Sequence, residues 1–365
     1  MTRGRIVMAV SDDLATDQRV ARHCRTLAAA GYEVLLIGRR WEDEPCLADD
    51  APYATDCVVM RRQRGWRYYA RLNWLLARRI RRERADIVWA NDTDTLPACR
   101  LGAWGRPTRL VMDAHEIFPE VPEIVHKPLV QTVWRTLERW LMPRCAARLT
   151  VCESLAQYYR QRLGVEMTVV RNMPERPPRP VARGERGTQP VLLYQGALNV
   201  GRGVDWAIDA LQWLPHCRLT VVGSGDVEQE LRRYAAQKPW ADRITFAGRM
   251  RPDALETLEA DVGLVMLEDL GLSYHYALPN RIGDFVWRGI PMVVSDLPEM
   301  AAFVKRHRVG EVMRGTGAKA LAESVGRVLA RRWTDEDFGS ARRDMDWEKE
   351  KKKLLASIEF AAPEK

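Results

Sequence analysis

The sequence has few features that would place it in a membrane or in an oxidising compartment. In its 365 residues, no apolar run approaches the roughly 18 residues that a membrane-spanning helix needs. The opening segment, MTRGRIVMAVSDD, lacks the long apolar core of a signal peptide. The seven cysteines are an odd number and include no CxxC pair, so neither a disulfide framework nor a zinc site is indicated. We therefore expect a cytoplasmic protein with reduced thiols.

Several other patterns are missing. The 24 glycines and 20 prolines follow no fixed period, which argues against a solenoid. No GxGxxG loop follows the first apolar run, which argues against a Rossmann oxidoreductase. The net charge of +8 favours anionic partners in general, which include nucleotide phosphates, anionic lipid and nucleic acid. A nucleic-acid-binding protein is supported by charge alone, because no nucleic-acid module is recognisable.

Short apolar runs alternate with helical patterns almost throughout the chain, which indicates parallel α/β sheets. The strands predicted in the first half are 5–10, 33–38, 57–62, 86–91, 109–115, 148–153 and 167–172. Those predicted in the second half are 191–196, 218–225, 244–248, 262–267 and 291–296. We predict two doubly wound domains, 1–173 and 191–340, a Pro-, Gly- and charge-rich linker at 174–190, and a C-terminal helix within 341–365.

Ligands of doubly wound sheets bind beyond the carboxyl ends of the strands. The segment 194–211 is a candidate anion site there, because a strand is followed by the glycine-rich loop that contains Gly201 and Gly203 and then by a helix. Arg202 lies in that loop and could bind phosphate oxygens. The alternative is an ordinary glycine-rich turn that carries a solvated arginine.

A second polar cluster lies in 273–296, where Tyr, His, Asn and Arg residues precede a helix that Pro279 introduces. Arg281 and Asp284 are three apart and share one face of that helix. A core helix would explain Phe285 and Val286 but not the polar residues before them. We therefore favour a functional site.

These motifs stand in the order GxxxxxRG, GSG, FxG, PNR and GIPMVVSDLPE, which resembles the second domain of GT-B-fold glycosyltransferases of family 4. Segments of the first half resemble that family's landmarks in the same order, at 17–38, 90–97, 113–123, 150–154 and 169–174. The resemblance covers nearly the whole chain. It implies two Rossmann-like domains that face each other across a cleft, and a C-terminal helix that crosses back to the first domain.

The implied activity is transfer of a sugar from a nucleotide-diphosphate sugar to a saccharide or lipid-linked acceptor, with retention and without a metal, in bacterial glycan or glycolipid synthesis. No cofactor is expected beyond the donor substrate. The resemblance implies that the donor diphosphate is bound by Arg202, Arg281 and Gly201. It places the nucleoside at Asp284, Gly223, Gly225, Gly248 and Arg249. It places the donor sugar at Ser273, Tyr274 and Asn280. It makes His115 and Asp92 catalytic, and it puts the acceptor at Asp17, Arg19 and Glu116.

The chain departs from the family pattern in two places. The family's paired glutamates are replaced by Tyr276 and Asp284, and Ala197 stands where many members carry a phosphate-binding arginine. The string Asp92-Thr93-Asp94 spells the DxD pattern that binds metal in a different glycosyltransferase fold. Here it follows a strand of the first half, and two guanidinium groups could stabilise the leaving diphosphate. We therefore predict no metal site.

The segment 61–84 carries ten arginines together with Trp66, Tyr68, Tyr69 and Trp74. A basic amphipathic helix with interfacial aromatics suits an anionic membrane surface. The alternative is a solvated helix face whose aromatics pack inward. We predict peripheral membrane contact through this segment and no binding to nucleic acid.

A non-hydrolysing nucleotide-sugar epimerase of the same fold is the main alternative to a transferase. It would need an additional set of acid and base residues. The DAHE and PNR contexts of this sequence resemble the transferases more closely.

Overall fold

The structure is a computed structural model that describes residues 3–11, 14, 17–42, 51–63, 65–175, 189–250, 254–255 and 257–359. Residues 176–188, which make up most of the predicted linker, lie outside the described residues. The chain divides into two compact units. The first unit is Met1–Asn172 with Glu348–Lys365, and the second is Met173–Trp347.

The first unit contains a parallel sheet of seven strands in the order β3-β2-β1-β4-β5-β6-β7. Its strands are β1 Arg5–Ala9, β2 Glu33–Trp41, β3 Ala54–Met60, β4 Ile87–Asn91, β5 Arg109–Ala114, β6 Ala147–Thr150 and β7 Thr168–Val169. β1 pairs with both β2 and β4, so the chain order reverses between β1 and β4. A ligand of this sheet is expected beyond the carboxyl ends of those central strands.

Seven α-helices belong to the described part of the first unit. They are α1 Gln18–Ala29, α2 Trp66–Ile80, α3 Leu96–Gly102, α4 Pro122–Val125, α5 Pro128–Leu141, α6 Glu153–Leu163 and, at the C-terminal end, α14 Trp347–Glu359. α1 begins after Asp17, whose carboxylate accepts hydrogen bonds from the backbone N–H groups of Arg19 and Val20. α14 is anchored by the buried carboxylate of Glu350, which lies 2.9 Å from Nε of Arg171.

The second unit contains a parallel sheet of six strands in the order β10-β9-β8-β11-β12-β13. Its strands are β8 Val191–Gln195, β9 Arg218–Val222, β10 Ile244–Gly248, β11 Val262–Val265, β12 Met292–Val294 and β13 Gly310–Val312. Its described α-helices are α7 Val204–Ala210, α8 Glu228–Ala236, α9 Leu272–His275, α10 Arg281–Trp287, α11 Pro298–His307, α12 Ala318–Ala330 and α13 Gly339–Asp344. The chain order reverses between β8 and β11, which pair directly.

The predicted fold class is confirmed: both sheets are parallel, and helices connect their strands. Every predicted strand is present, and β13, which we did not predict, has only three residues. The residues just after 340 remain with the second unit, which extends to Trp347. The reason is that the Arg342 guanidinium donates to the carbonyl oxygens of Val286 and Trp287, at 3.1 and 3.2 Å.

Candidate active site

In the first unit, His115 and Asp92 meet at the carboxyl ends of the neighbouring strands β5 and β4. The Asp92 N–H extends the ladder by donating to the Asp113 carbonyl oxygen at 2.9 Å. Asp92 has a φ of +62°, a left-handed conformation that aspartate tolerates better than most residues. In this conformation its Oδ1 accepts a 2.7 Å hydrogen bond from the His115 N–H, and its Oδ2 lies 3.1 Å from His115 Nδ1. Asp92 therefore holds both the backbone and the ring of His115.

Asp113 holds the other side of the His115 ring. Its buried Oδ2 lies 3.2 Å from His115 Nε2. Burial alone would lower the pKa of His115, but the carboxylates of Asp92 and Asp113 outweigh it and raise that pKa well above its ordinary value. With one carboxylate facing each ring nitrogen, the site favours the protonated imidazole over the neutral one. A protonated His115 would place positive charge at the carboxyl ends of β4 and β5.

The buried side chains of Arg19 and His23 contact the Asp113 carboxylate. Arg19 makes a bidentate pair with it, from Nε at 3.0 Å and Nη2 at 2.7 Å, and its Nη1 donates to the Val170 carbonyl oxygen at 2.6 Å. Burial would raise the pKa of Asp113, but the charges of Arg19 and His115 hold it well below its ordinary value. His23 is 3.3 Å from the same carboxylate, and burial lowers the pKa of His23 to about 4. The neutral His23 leaves Arg19 and His115 as the cations of the cluster.

Glu138 on α5 connects the two loops that carry Asp92 and His115. Oγ1 of Thr93, the residue after Asp92, donates to its carboxylate at 2.8 Å. The Tyr159 hydroxyl lies 3.4 Å from the same oxygen and 3.3 Å from the backbone oxygen of Glu116, the residue after His115. Burial raises the pKa of Glu138 to about 7. Sequence reasoning missed this residue, because the apolar residues Leu129, Val133 and Trp140 lie on the opposite, exposed face of α5 and gave no sign that Glu138 is buried.

In the second unit, Arg281 joins the ends of the two strands between which the chain order reverses. It is 5% exposed and begins α10. Its Nη1 donates to the Gln195 carbonyl oxygen at the end of β8 (2.8 Å), and its Nη2 donates to that of Met266 just beyond β11 (3.3 Å). Its guanidinium also lies 4.7 Å from the centre of the Tyr194 ring. Burial lowers the pKa of Arg281, and the nearby charge of Arg202 lowers it further.

Arg202 lies in the glycine-rich loop after β8, with its guanidinium 4.7 Å from the centre of the Tyr274 ring. Together with Gly201 it lines a cavity of about 370 Å³, a volume within the range of small-molecule sites. The cavity wall also contains carboxylates that we did not predict, at Asp205, Glu230 and Glu268. Burial and the charge of Asp205 raise the pKa of Glu268.

Two predicted glycines are explained by close packing of loops. A Cβ atom on Gly223 would lie 1.8 Å from the Gly196 oxygen, and one on Gly225 would lie 2.4 Å from the Leu198 oxygen. Because no side chain fits at either position, the loop after β9 can cross the loop after β8. Their glycine identity therefore needs no ligand, and their contact with a nucleoside stays a prediction.

The comparisons with known proteins agree with this geometry. The model of glycosyltransferase family 4 matches residues 17–173, and the model of group 1 glycosyl transferases matches residues 189–331. The chain belongs to glycosyltransferase family 4. The sequence of this glycosyltransferase matches no curated protein.

Solved structures with the GT-B fold match this glycosyltransferase over nearly its whole length. Sucrose-phosphate synthase from Thermosynechococcus elongatus has a TM-score of 0.77 at 16% identity, with 98% of each chain covered. Anabaena HepE in complex with UDP and glucose has a TM-score of 0.73 at 13% identity, with 98% of this chain and 99% of that one covered. The lipopolysaccharide outer core galactosyltransferase WaaB has a TM-score of 0.64 at 13% identity, with 97% and 99% covered.

One predicted acceptor residue of this glycosyltransferase is poorly placed for that role. Arg19 is 1% exposed, and its guanidinium is engaged by Asp113 and Val170, so its position supports Asp113 rather than an acceptor. Asp17 is better placed, since its Oδ2 lies 3.9 Å from His115 Nδ1 and its side chain is 32% exposed. Glu116 is half-buried beside His115. Acceptor binding at Asp17 and Glu116 stays a prediction.

The remaining residues predicted to bind the donor differ in burial and in contacts. Asp284 accepts a 2.7 Å hydrogen bond from Gln195 Nε2 at the end of β8, and Tyr274 lies under Arg202. Ser273 is buried beside Tyr274, whereas Asn280 is exposed just before α10. Gly248 and Arg249 lie further along the sheet, at the end of β10. Among the described residues, no group of three or more His, Cys, Asp and Glu side chains is arranged to hold a metal ion.

Within the described part of the chain, no helix is long and apolar enough to cross a membrane.

Proposed function

We propose that this glycosyltransferase uses a nucleoside-diphosphate sugar as its donor and binds it in the second unit. The observation that carries the proposal is that Arg281 and the loop of Arg202 both lie at the ends of β8 and β11, where the order of the second sheet reverses. The proposal is supported by the 370 Å³ cavity that Arg202 and Gly201 line, and by the UDP complex of the structural neighbour HepE.

The two arginines share one feature and differ in another. In both, Nε is buried and has no hydrogen-bond partner among the described residues. Both terminal nitrogens of Arg281 already bind carbonyl oxygens, so we assign Arg202 as the direct phosphate ligand and Arg281 as the fixed charge behind it. Charge that develops on the departing diphosphate would be stabilised by both guanidinium groups, in place of a metal ion.

We propose that the first unit binds a saccharide or lipid-linked acceptor beside His115, Asp92 and Asp17. His115, protonated between two carboxylates, would stabilise negative charge. It could also donate a hydrogen bond to a sugar hydroxyl once one of its ring nitrogens gives up its bond to Asp92 or Asp113. Asp92 would orient the ring. We further propose that transfer proceeds with retention of configuration, as the resemblance to family 4 implies, and that the enzyme acts in bacterial glycan or glycolipid synthesis, a pathway supported by its structural neighbour WaaB, a lipopolysaccharide outer core galactosyltransferase.

Contact between the segment 61–84 and an anionic membrane is a further part of the proposal. Its helix α2 is shorter than the segment, and two of its aromatics point outward, with Trp66 75% and Trp74 57% exposed. Tyr68 and Tyr69 instead pack inward: the Tyr68 hydroxyl donates to the Ser11 carbonyl oxygen at 2.9 Å, and the Tyr69 ring packs edge-to-face against Trp134. The outward residues are the ones that support membrane contact.

Calorimetry with nucleoside diphosphates tests the donor site. Arg202→Ala removes a charged hydrogen-bond donor and should weaken binding by about 1.5–3 kcal/mol, roughly ten- to a hundredfold. The control is Arg218→Ala, an exposed arginine at the opposite end of the same sheet, where β9 begins. Equal affinities for the wild type and both variants would refute the assignment.

A further inference from the structure

α5 carries an apolar stripe on its outer, solvent-facing side. Leu129, Val133 and Trp140 are 83%, 57% and 68% exposed. Their spacing of four and seven residues puts them on one face of the helix. Trp134 and Glu138 are 5% and 2% exposed and lie on the opposite face, toward the body of the unit. An ordinary surface helix carries polar residues where α5 carries this stripe.

Two neighbouring helices also expose tryptophans, on α2 and just after α3. α2 packs against α3, and α3 packs against α5. Each of the exposed tryptophans on α2, and the one just after α3, has an arginine guanidinium beside its ring. The pairs are Arg67 with Trp66 at 5.6 Å, Arg78 with Trp74 at 5.5 Å, and Arg100 with Trp104 at 5.9 Å. We call the set Trp66, Trp74, Trp104, Leu129, Val133 and Trp140 the outer aromatic surface.

The charge on the three helices has one sign. α2, α3 and α5 together contain seven arginines and a single acid, Glu138, which is buried. Two of the arginines are neutralised by partners: Arg79 pairs with Asp56 and Glu83, and Arg135 pairs with Glu120. Of the other five, four are exposed and Arg100 is half-buried: Arg67, Arg71, Arg78, Arg100 and Arg139. The exposed side of these helices therefore combines apolar groups with positive charge.

We propose that a bilayer containing anionic lipid binds the outer aromatic surface, and that the outward stripe of α5 enters the interface between headgroups and acyl chains. The arginines would attract the headgroups, the tryptophans would lie at headgroup level, and Leu129 and Val133 would transfer apolar area out of water. The inference rests on the proposed membrane contact for its class of partner. It goes beyond that contact by assigning the apolar anchor to α5, which lies outside the segment 61–84.

The same residues fit other partners less well. Nucleic acid would match the arginines but would leave the aliphatic stripe of α5 without an apolar contact. A second copy of the chain would cover the stripe but would place arginine against arginine with no exposed carboxylate on these helices. A bilayer with anionic headgroups satisfies both the charge and the apolar area.

Co-sedimentation with vesicles of equimolar phosphatidylcholine and phosphatidylglycerol tests the proposal. The combined change Leu129→Ser, Val133→Ser and Trp140→Ser removes the anchor but leaves the charge unchanged. It should lower vesicle affinity by at least about tenfold, because three apolar side chains no longer enter the interface. Trp140→Ser alone should produce part of that loss. Its matched control is Trp213→Ser, an exposed tryptophan of the second unit, and this variant should bind as the wild type does.

The outcomes separate this inference from the proposals on which it depends. If the α5 variant binds vesicles as the wild type does, while glutamates at Arg67, Arg71 and Arg78 abolish binding, the α5 anchor is refuted and the contact through 61–84 stands. If the wild type ignores these vesicles, both membrane proposals fail. A wild-type dimer that the α5 variant converts to a monomer, measured by analytical ultracentrifugation without lipid, would identify a second copy as the occupant and overturn the proposal. Nucleotide affinity, measured on the same variants, should not change and reports on the donor site separately.

Discussion

Replacing Glu138 by glutamine should change how the stability of this glycosyltransferase depends on pH. Glu138 is 2% exposed and connects α5, through Thr93 and Tyr159, to the loops that carry Asp92 and His115. Its pKa is raised to about 7 by burial, from an ordinary value of 4.5. Glutamine keeps the size and the oxygen that accepts from Thr93 but cannot ionise.

The free energy of unfolding depends on pH because the folded and unfolded states bind the proton of Glu138 with different affinities. Because the pKa of Glu138 is higher in the folded than in the unfolded state, the folded protein binds the proton more tightly. Its stabilising contribution is complete below pH 4.5 and is lost as the pH rises to about 7. A difference of between two and three pKa units, at about 1.4 kcal/mol per unit, corresponds to roughly 3 kcal/mol. As the pH rises from 4.5 to about 7, the free energy of unfolding of Glu138→Gln should therefore increase by up to roughly 3 kcal/mol relative to that of the wild type.

Urea unfolding of both proteins at several pH values from acid to mildly alkaline measures this difference. All other titrating groups contribute to both proteins and cancel in the comparison. Glu123→Gln, which removes the same charge at an exposed position of α4, serves as the control. If Glu138→Gln and the wild type show parallel pH profiles, burial does not raise the pKa of Glu138, and the predicted pH-dependent cost of this carboxylate is refuted.

Two further predictions concern catalysis. His115→Ala should lower kcat far more than donor affinity, because His115 lies in the first unit and the donor is proposed to bind the second. A variant with normal kcat and a lowered melting temperature would instead make His115 a structural residue. Sugar transfer should continue after dialysis against EDTA, because arginines are proposed to stabilise the diphosphate; complete loss that manganese restores and Asp94→Ala abolishes would contradict this.

The parts of the fold that depend on local pattern could be predicted from the sequence. Apolar runs between helical stretches located every strand except β13, whose three residues, Gly-Glu-Val, are only half-buried and do not form an apolar run. The fold class also predicts where the strand order of each sheet reverses, and at that point of the second sheet lie Arg281 and the loop of Arg202. These features need only nearby residues and a known topology.

The parts that depend on tertiary contacts could not be predicted. Arg19 and Asp113 are 94 positions apart, and nothing local indicates that one neutralises the other in the core. α5 has both a polar residue inward, at Glu138, and apolar residues outward, at Leu129 and Trp140, so its pattern gives no reliable inner face. The glycines at 223 and 225 resembled ligand-binding residues, although the crossing of two loops is sufficient to require them.

The central claim is that the second unit binds a nucleotide-sugar donor through Arg202. The most direct test is calorimetric titration of the wild type and Arg202→Ala with a panel of nucleoside diphosphates and their sugars. We expect at least one nucleoside diphosphate and its sugar to bind the wild type, and Arg202→Ala to bind both about ten- to a hundredfold more weakly. If no member of the panel binds the wild type, or if the best ligand binds both proteins equally, the claim is contradicted.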